Sequence, residues 1–306
     1  MTSITDLDLR LMQVFLTVVE NRGLAAAQTS LNVGLSTISS HMATLEKRLG
    51  VKLCDRGRGG FRLTEEGLKV YEIARRLTGA VSAANSELAG LRDILVGKLR
   101  IGIVDNIVNN PRAAVHRAIH LFDRRDHEVT VTVEVVSPRD LERQVSDGML
   151  DVGVGPRLSN LGVLDYDLLF TERQYLYCSR LHPLFELAPH GWSTDQIASE
   201  KYASHVCPLP DEPGYKEVLR GVTMVHNMES AAILILSGRF IGFLPEHYAQ
   251  HWEARGDMRP IKTQQYFYDN LFYNIRRNSE KQSRIISQFS KDLKSAHKAN
   301  QKMLVS

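Results

Sequence analysis

Residues 23–67 hold four patterns in close succession. A run of small residues at 23–27 precedes a turn at 32–34, an amphipathic run at 36–46 and a basic, glycine-rich segment at 54–64. The order predicts two helices joined by a tight turn, with a β-hairpin behind them. The alanines of the first run allow the two helices to cross closely, and we expect Gly34 to relieve the turn.

The amphipathic run has the spacing of a helix with one buried stripe. Its apolar residues follow one another at steps of four, three and four, which places them against a core. The opposite face carries short donors and acceptors, the side-chain type that reads base edges when the start of a helix enters the major groove of DNA. The stripe consists of Ile38, Met42, Leu45 and Leu49, and the face that we predict to read bases consists of Ser36, Thr37, Ser40 and His41.

Positive charge is concentrated just behind that helix. Six basic residues lie between positions 47 and 62 against the single acid Asp55, whereas the whole chain carries a net charge of only +3. A basic patch on a nearly neutral chain is typical of a face that docks on phosphates. Arg56 and Arg58 are predicted at the tip of the hairpin, where they reach the DNA backbone or enter a minor groove.

Other interpretations fit single parts of this passage. A helical pair with a polar outer face also occurs in helical domains that bind no DNA. The run Arg-Gly-Arg-Gly-Gly resembles RNA-binding repeats, but it occurs once and strand-like residues flank it, which favours a hairpin turn. The four patterns in this order favour DNA binding.

Residues 9–67 resemble the winged helix-turn-helix of LysR-type transcriptional regulators. The resemblance is carried by residues in all three helices and in the wing, and the length and layout of the remaining chain extend it. The family often begins its recognition helix, the third of the three, with Ser-Gln-Pro, where this chain has Gly34, Leu35 and Ser36, so a glutamine that commonly contacts DNA is absent. The matching residues are Phe15, Ala27, Leu31, Ser39, Leu45, Glu46, Leu49, Gly50, Leu63, Thr64 and Gly67.

A long helix is predicted behind the wing. Thr64 is a suitable N-cap, and Glu65 and Glu66 complement the helix dipole. Apolar residues then follow at alternating steps of four and three, which is a heptad seam. The resemblance implies that this linker helix dimerises; the alternative is packing on the C-terminal domain. The seam consists of Val70, Ala74, Leu77, Val81, Ala84, Leu88 and Leu91, and Gly97 ends the segment.

From position 98 strands alternate with helices, which predicts an α/β architecture with parallel strands. The resemblance implies two lobes joined by two crossing strands, similar to periplasmic binding proteins. We therefore expect a winged helix-turn-helix at 1–64, a dimerising linker helix at 65–96 and a two-lobed effector-binding domain at 97–306. Lobe one comprises about 97–163 with 268–306, and lobe two about 164–267.

An effector is expected in the cleft between the lobes, because ligands of open α/β sheets lie outside the carboxyl ends of the strands. Asp105 and Glu229 are two acids at those ends, which favours an effector with a cationic or hydrogen-donating group. The alternative is that either acid caps a helix or pairs with Arg139. The predicted effector-binding residues are Asp105, Asn106, Ser137, His205, Asn227 and Glu229.

Motifs of the common enzyme classes are not found. The sequence lacks a Gly-x-Ser-x-Gly elbow and a phosphate-binding Gly-x-x-x-x-Gly-Lys loop. The histidine pairs at 116 and 120 and at 247 and 251 lack the further ligands of a zinc site. The three cysteines form no CxxC, there is no apolar signal segment, and no apolar run could span a membrane. We expect a cytoplasmic protein with no catalytic residues, metal or cofactor.

The sequence therefore predicts a transcriptional regulator that binds promoter DNA and responds to a small-molecule effector. The resemblance further implies a homodimer through the linker helix, a homotetramer, and contact with RNA polymerase. Two other functions remain open: an architectural DNA-binding protein that is indifferent to sequence, and a binding-protein-like enzyme with a vestigial DNA-binding head.

Overall fold

The computed structural model describes residues 4–55, 61–89, 94–159, 161–183, 185–186, 192–205, 222–261, 263–279 and 283–305. The chain divides into two compact units, Met1–Leu88 and Ala89–Ser306. The first unit is mainly helical and the second is α/β.

The first unit consists of three helices, a small hairpin and a long fourth helix. Its core contains apolar residues from each helix, among them Phe15, Ala27, Ile38 and Ala74. The elements are α1 (Asp6–Glu20), α2 (Ala27–Leu31), α3 (Leu35–Leu49), β1 (Cys54–Asp55), β2 (Arg62–Leu63) and α4 (Glu65–Ala89).

The left-handed residue in the turn between α2 and α3 is not the predicted Gly34 but Asn32. Asn32 ends α2 in the left-handed conformation, with φ 53° and ψ 39°. Gly34 has φ −68° and ψ 155°, an extended conformation that any residue can adopt. The prediction that Gly34 relieves the turn is therefore wrong, and Asn32 takes that part because asparagine tolerates the left-handed region.

The linker helix is shorter than predicted. It ends at Ala89, and a strand begins at Leu95, so Gly97 lies inside that strand with φ 143°. Leu95 and Val96 pair with His127 and Glu128 of the neighbouring parallel strand. This long-range pairing draws the residues before Gly97 into the sheet. Leu91 lies outside the described residues.

The second unit contains one curled, mixed sheet with helices packed on it. Its strands run in the spatial order β4-β3-β5-β11-β6-β9-β7-β8, and β10 pairs with β6. The elements are β3 (Leu95–Ile103), α5 (Val115–Asp123), β4 (His127–Val135), α6 (Pro138–Ser146), β5 (Val152–Pro156), β6 (Leu164–Ser179), α7 (Thr194–Ser199), β7 (Tyr202–His205), β8 (Val222–Val225), α8 (Met228–Leu236), β9 (Ile241–Pro245), α9 (Glu246–Ala254), β10 (Met258–Pro260), β11 (Phe267–Arg277) and α10 (Arg284–Val305), with a 3-10 turn at Ile107–Asn109.

Two long strands join the lobes, as the family resemblance implied. β6 and β11 pair in antiparallel fashion from Leu164 with Arg277 to Tyr175 with Phe267. The first part of this ribbon borders β5 of lobe one through β11, and β6 then pairs with β9 of lobe two. β6 is continuous from Leu164 to Ser179, so a single strand belongs to the ribbon and to the sheet of lobe two.

Helix α5 begins at Val115, four residues after Pro111. The side chain of Asn110 is buried and accepts a hydrogen bond from the backbone N–H of Arg112 at 2.9 Å. The backbone N–H of Ala114 then donates to Nε2 of His297, 3.0 Å away in α10. One local and one distant contact therefore hold the chain in a turn until Val115.

Candidate functional site

In the first unit, α3 presents a polar face to solvent. Ser36, Thr37 and Ser40 are exposed and His41 is half-buried, whereas Ile38 on the opposite side is fully buried. The hydroxyl of Thr44 is less available to donate to a base than those of the other residues, because it donates to the backbone oxygen of Ser40 at 2.8 Å. At the N-terminal end of α3 the side chains of Ser36, Thr37 and Ser40 are thus exposed in this unit and can approach a base edge.

Gln28, which the sequence did not single out, caps α3. Its side-chain oxygen accepts from the backbone N–H of Leu35, the first residue of α3, at 3.0 Å. Its amide nitrogen donates to the backbone oxygen of Ala25 at 3.1 Å. The first N–H groups of a helix have no partner within the helix, so this contact fixes where α3 begins. Common capping motifs join residues three positions apart, whereas Gln28 and Leu35 are seven positions apart. This cap was therefore not identified from the sequence.

An ion pair between Asp8 and Arg48 joins the start of α1 to the end of α3. Asp8 is fully buried and accepts two hydrogen bonds from the Arg48 guanidinium, from Nε at 2.5 Å and from Nη2 at 2.9 Å. The backbone N–H and hydroxyl of Thr5 donate to the same carboxylate. Hydrogen bonds from Arg48, and then from Thr5, hold the pKa of the Asp8 carboxyl well below its usual range. Asp8 thus ties α1 to the C-terminal end of α3.

The basic patch has fewer available charges than the sequence suggested. Arg48 is paired with Asp8, and Lys52 lies 2.6 Å from Asp55. Lys47 and Arg62 are exposed. Arg56 and Arg58, the predicted tip of the hairpin, lie outside the described residues.

The linker helix uses part of its predicted seam within its own unit. Ala74 is buried in the core of the first unit, and Val70 and Leu77 pack against that core. Farther along, Val81 and Ala84 are exposed, as are Ile73 and Ala80. An exposed apolar stripe therefore runs through positions 73, 80 and 84, of which only position 84 belongs to the predicted seam.

In the second unit, Asp105 links the two lobes. It follows β3 of lobe one, and its Oδ2 accepts from the backbone N–H of Met228, the first residue of α8 in lobe two, at 2.6 Å. The side-chain amide of Asn106 donates to the same oxygen at 3.0 Å. Asp105 therefore acts at a helix N-terminus, which was the alternative to a direct effector contact.

Two other predicted effector residues are helix caps. Ser137 accepts from the backbone N–H of Asp140 at the start of α6, and Asn227 accepts from the backbone N–H of Ser230 at the start of α8. Glu229 is exposed in the first turn of α8. His205 is the last residue of β7, and its side chain lies outside the described part of the chain.

A small cavity lies beside Asp105, between the lobes. Its volume is about 20 Å³, enough for roughly one water molecule. The wall includes Asp105 from lobe one, Met228 and Pro245 from lobe two, and Glu172 and Asn270 from the crossing strands. Glu172 and Asn270 were absent from the predicted site, because only the pairing of β6 with β11 places them there.

Glu172 is the most perturbed acid at this cavity. The residue is 6% exposed, and burial raises the pKa of its carboxyl to about 7, assisted by the nearby negative charge of Asp105. Side-chain amides of Asn110 and Gln174 each donate to it at 3.0 Å and partly oppose that rise. His247 Nδ1 lies 3.9 Å from Oε2, and burial lowers the pKa of His247. The carboxyl is therefore hydrogen-bonded mainly to neutral groups.

Metal and redox chemistry have little support in the described residues. No group of three or more His, Cys, Asp or Glu side chains within them could hold a metal ion. The thiols of Cys54 and Cys178 are buried, and burial raises the pKa of the Cys178 thiol to about 12; Cys207 lies outside those residues. Across the helices that the structure describes, none has the length and apolarity needed to span a membrane.

Comparisons with known proteins agree with both units. Residues 9–68 match the model of the bacterial regulatory helix-turn-helix proteins of the lysR family, and residues 92–297 match the LysR substrate binding domain. The chain belongs to the LysR family. It is a transcriptional regulator with a helix-turn-helix DNA-binding domain and an effector-binding domain.

Relatives and solved structures of this LysR-type regulator extend over nearly all of its length. The HTH-type transcriptional activator BauR of Pseudomonas aeruginosa is 36% identical over 287 residues, 94% of each chain. The crystal structure of CbnR, a LysR family transcriptional regulator, is similar with a TM-score of 0.60 and 18% identity over 94% of this chain and 99% of CbnR. Full-length CbnR in complex with its target DNA gives a TM-score of 0.60 and 20% identity over 95% and 99%. At such identities the structural likeness concerns the fold.

Proposed function

We propose that this LysR-type regulator reads specific promoter sites through the N-terminal end of α3. Ser36, Thr37, Ser40 and His41 are the residues that we expect at base edges. The observation that carries this proposal is the exposure of this polar end on a helix that Gln28 caps and Arg48 anchors. A rigid helix with free donors and acceptors is what direct readout in the major groove requires.

Arg56 and Arg58 are proposed to contact phosphates or a minor groove from the wing. They follow β1 immediately and precede the exposed Arg62 of β2. Because two nearby basic residues are engaged in ion pairs, these wing arginines would contribute a large share of the free positive charge. Phosphate contacts of this kind add affinity without sequence preference.

We propose a homodimer through α4, assembled further into a homotetramer. The exposed apolar stripe at positions 73, 80 and 84 supports this, since it is available to a second copy while Ala74 and its neighbours serve the unit's own core. Two linked reading heads bind two half-sites and gain affinity through effective concentration. The corresponding domains would be 1–64 for the reading head, 65–96 for the linker, whose last two residues already lie in β3, and 97–306 for effector binding.

An effector between the lobes would control the regulator. The hydrogen bond from Met228 to Asp105 holds the lobes together across a cavity of about 20 Å³, so a larger molecule would enter only when that contact opens. Binding would then shift the population between lobe arrangements that space or bend the DNA differently. We further propose cytoplasmic action beside DNA and RNA polymerase, with no enzymatic turnover.

The first test is to incubate the purified full chain with sheared genomic DNA and to sequence the retained fragments. Enrichment of a few sites with paired half-sites is the expected result. Uniform recovery, both without ligand and with candidate effectors, would instead favour an architectural binder. Turnover of a bound ligand would favour the binding-protein-like enzyme.

A further inference from the structure

Glu172 is a buried carboxylate without a charged partner of opposite sign. Among the described residues, its hydrogen bonds come from the side-chain amides of Asn110 and Gln174, which are neutral. Amides satisfy hydrogen-bonding capacity but do not compensate a buried negative charge. The ionisable group that could do so, His247 at 3.9 Å, is kept neutral at neutral pH because burial lowers its pKa.

A second acceptor beside Glu172 has no donor. Gln174 is fully buried, and its Oε1 has no hydrogen-bond partner within the described residues. Its Nε2 is directed at Glu172, so the amide orientation follows from the carboxylate's need for a donor. Gln174 lies two residues after Glu172, on the same face of β6, and pairs with Pro245 in the cavity wall. A buried acceptor without a donor is costly unless a ligand satisfies it.

Asp105 supplies a third acceptor from the opposite lobe. It lines the same cavity, and its described hydrogen bonds, from Met228 and Asn106, both end on Oδ2. Its charge lies close enough to Glu172 to oppose ionisation of that carboxyl. The carboxylates of Asp105 and Glu172 therefore line one small space, with the Gln174 amide bonded to Glu172 behind it, and a carboxylate ligand placed there would be repelled.

We propose that this end of the cleft binds the protonated primary amine of a small-molecule effector, with Glu172 as its counter-ion and with Asp105 as a further acceptor. An ammonium group carries three donors and no acceptor, which matches the carboxylate oxygens that line this space. The cavity of about 20 Å³ accommodates a group of that size, and the rest of the effector occupies the cleft as the lobes separate. This inference rests on the proposed function, in which the cleft holds the effector.

The test is isothermal titration calorimetry on the full chain with short linear primary amines whose other end is a methyl, hydroxyl or carboxylate group. Each amine is compared with its N-acetyl derivative, which keeps the skeleton but removes the charge. At least one amine should bind, and its N-acetyl derivative should bind about 10-fold or more weakly. Absence of binding by every amine, or equal binding of the acetylated partner, would overturn the proposal.

Variants at positions 172 and 105 test whether these carboxylates bind the amine. Glu172→Gln should weaken amine binding by about 10- to 100-fold, which is the range for a lost charged hydrogen bond. Glu128→Gln is the matched control, because it removes one carboxylate from the exposed face of the outer strand β4. Asp105→Asn, which keeps an acceptor for Met228, is the second variant and should weaken binding severalfold. Unchanged amine affinity in both cleft variants would contradict the assignment.

The genomic DNA capture on the same preparation separates this inference from the proposed function. Specific sites recovered by a protein that binds no amine would leave the regulator standing and reject the amine site. Amine binding that depends on Glu172, in a protein that retains all DNA fragments equally with and without the amine, would keep the site and reject sequence-specific regulation.

Discussion

Asp8 in the first unit and Glu172 in the second are both buried acids, yet their surroundings differ. Asp8 receives two hydrogen bonds from Arg48 and two from Thr5, and its pKa is held low. Glu172 receives two hydrogen bonds from neutral amides, and its pKa is raised. In the first unit the buried charge is paired and the candidate contact residues are exposed. In the second, the buried charge is itself the candidate contact.

The difference separates a carboxylate that stabilises the fold, Asp8, from one that we propose binds a ligand, Glu172. A carboxylate whose partners are all supplied by the chain stabilises one arrangement of helices, as Asp8 does for α1 and α3. A carboxylate that lacks a counter-ion destabilises the ligand-free state, and a ligand that supplies the charge regains that free energy.

The largest expected effect tests whether the two units are stabilised separately. Phe15→Ala removes a fully buried ring from the first core and should cost about 3–5 kcal/mol of that unit's stability. Both tryptophans, Trp192 and Trp252, lie in the second unit, so their fluorescence reports on that unit alone. Urea unfolding should show DNA binding lost early while the fluorescence transition stays in place.

Phe289→Ala is the reciprocal variant, since Phe289 is fully buried in the core of lobe one. It should move the fluorescence transition to lower urea. If Phe15→Ala moved the fluorescence transition as far as Phe289→Ala does, the two units would unfold together. Their stabilities would then not be separate.

The next effect concerns pH. A carboxyl whose folded pKa is raised contributes stability that is fully present below its unfolded pKa of 4.5 and is lost as pH rises through the folded value of about 7. Wild type should therefore lose on the order of 3 kcal/mol from this group between pH 4.5 and 8. Asp105 opposes ionisation of Glu172, burial lowers the pKa of the neighbouring His247, and Asn110 and Gln174 donate hydrogen bonds to the carboxylate.

Glu172→Gln removes this ionisation, so the variant should be more stable than wild type at pH 8 and should lose that advantage near pH 4.5. Its new amide can be satisfied if Gln174 rotates and presents its unpartnered Oε1. Urea unfolding followed by tryptophan fluorescence across this pH range measures the difference. An equal stability gap at both pH values would show that Glu172 is not the titrating group.

A smaller effect distinguishes base reading from phosphate contact. Thr37→Ala should change the preferred base at one position of the half-site by about 1–3 kcal/mol of discrimination, because Thr37 lies exposed at the start of α3. Competition binding with single-base variants of a captured site measures it.

Arg58→Ala is the contrast for Thr37→Ala. It should weaken binding to all sequences alike and reduce the slope of log affinity against log salt by about 1. An altered base preference in the Arg58 variant, with none in the Thr37 variant, would reverse the two proposed roles.

The smallest expected effect is at the cap of α3. Gln28→Ala removes the side-chain acceptor for the backbone N–H of Leu35 and should cost about 1 kcal/mol of stability. It should also weaken DNA binding, since the start of α3 carries the proposed contacts. Gln13→Ala, at an exposed position on α1, is the matched control. Equal DNA affinity in both variants would mean that α3 is positioned without this cap.

The sequence predicted the elements whose signals are local. The apolar stripe of α3 was visible in its spacing, and Ile38, Met42 and Leu45 are indeed buried. Thr64 was predicted to cap the linker helix, and its hydroxyl does accept a hydrogen bond from the backbone N–H of Gly67 in the first turn of α4. Periodicity and capping act over a few residues, so a short window of sequence contains the whole signal.

The cleft was predicted less well, because its groups come from distant parts of the chain. Asp105 was recognised at a strand end, but its partner Met228 lies 123 positions later. Glu172 was not recognised, since in sequence it is one acid among 35 Asp and Glu residues. Nothing near position 172 indicates that Asn110 and Gln174 will enclose it.

The two-part organisation, the helix-turn-helix with its polar face, the long linker helix and the α/β character of the rest can all be inferred from the order of the residues. The folded chain was needed to show that Arg48 pairs with Asp8, that Asp105 spans the lobes, and that Glu172 is buried with no cationic side chain bonded to it among the described residues. Helix and strand patterns can be inferred because they depend on neighbours along the chain. Charge compensation and desolvation depend on which groups the fold places side by side.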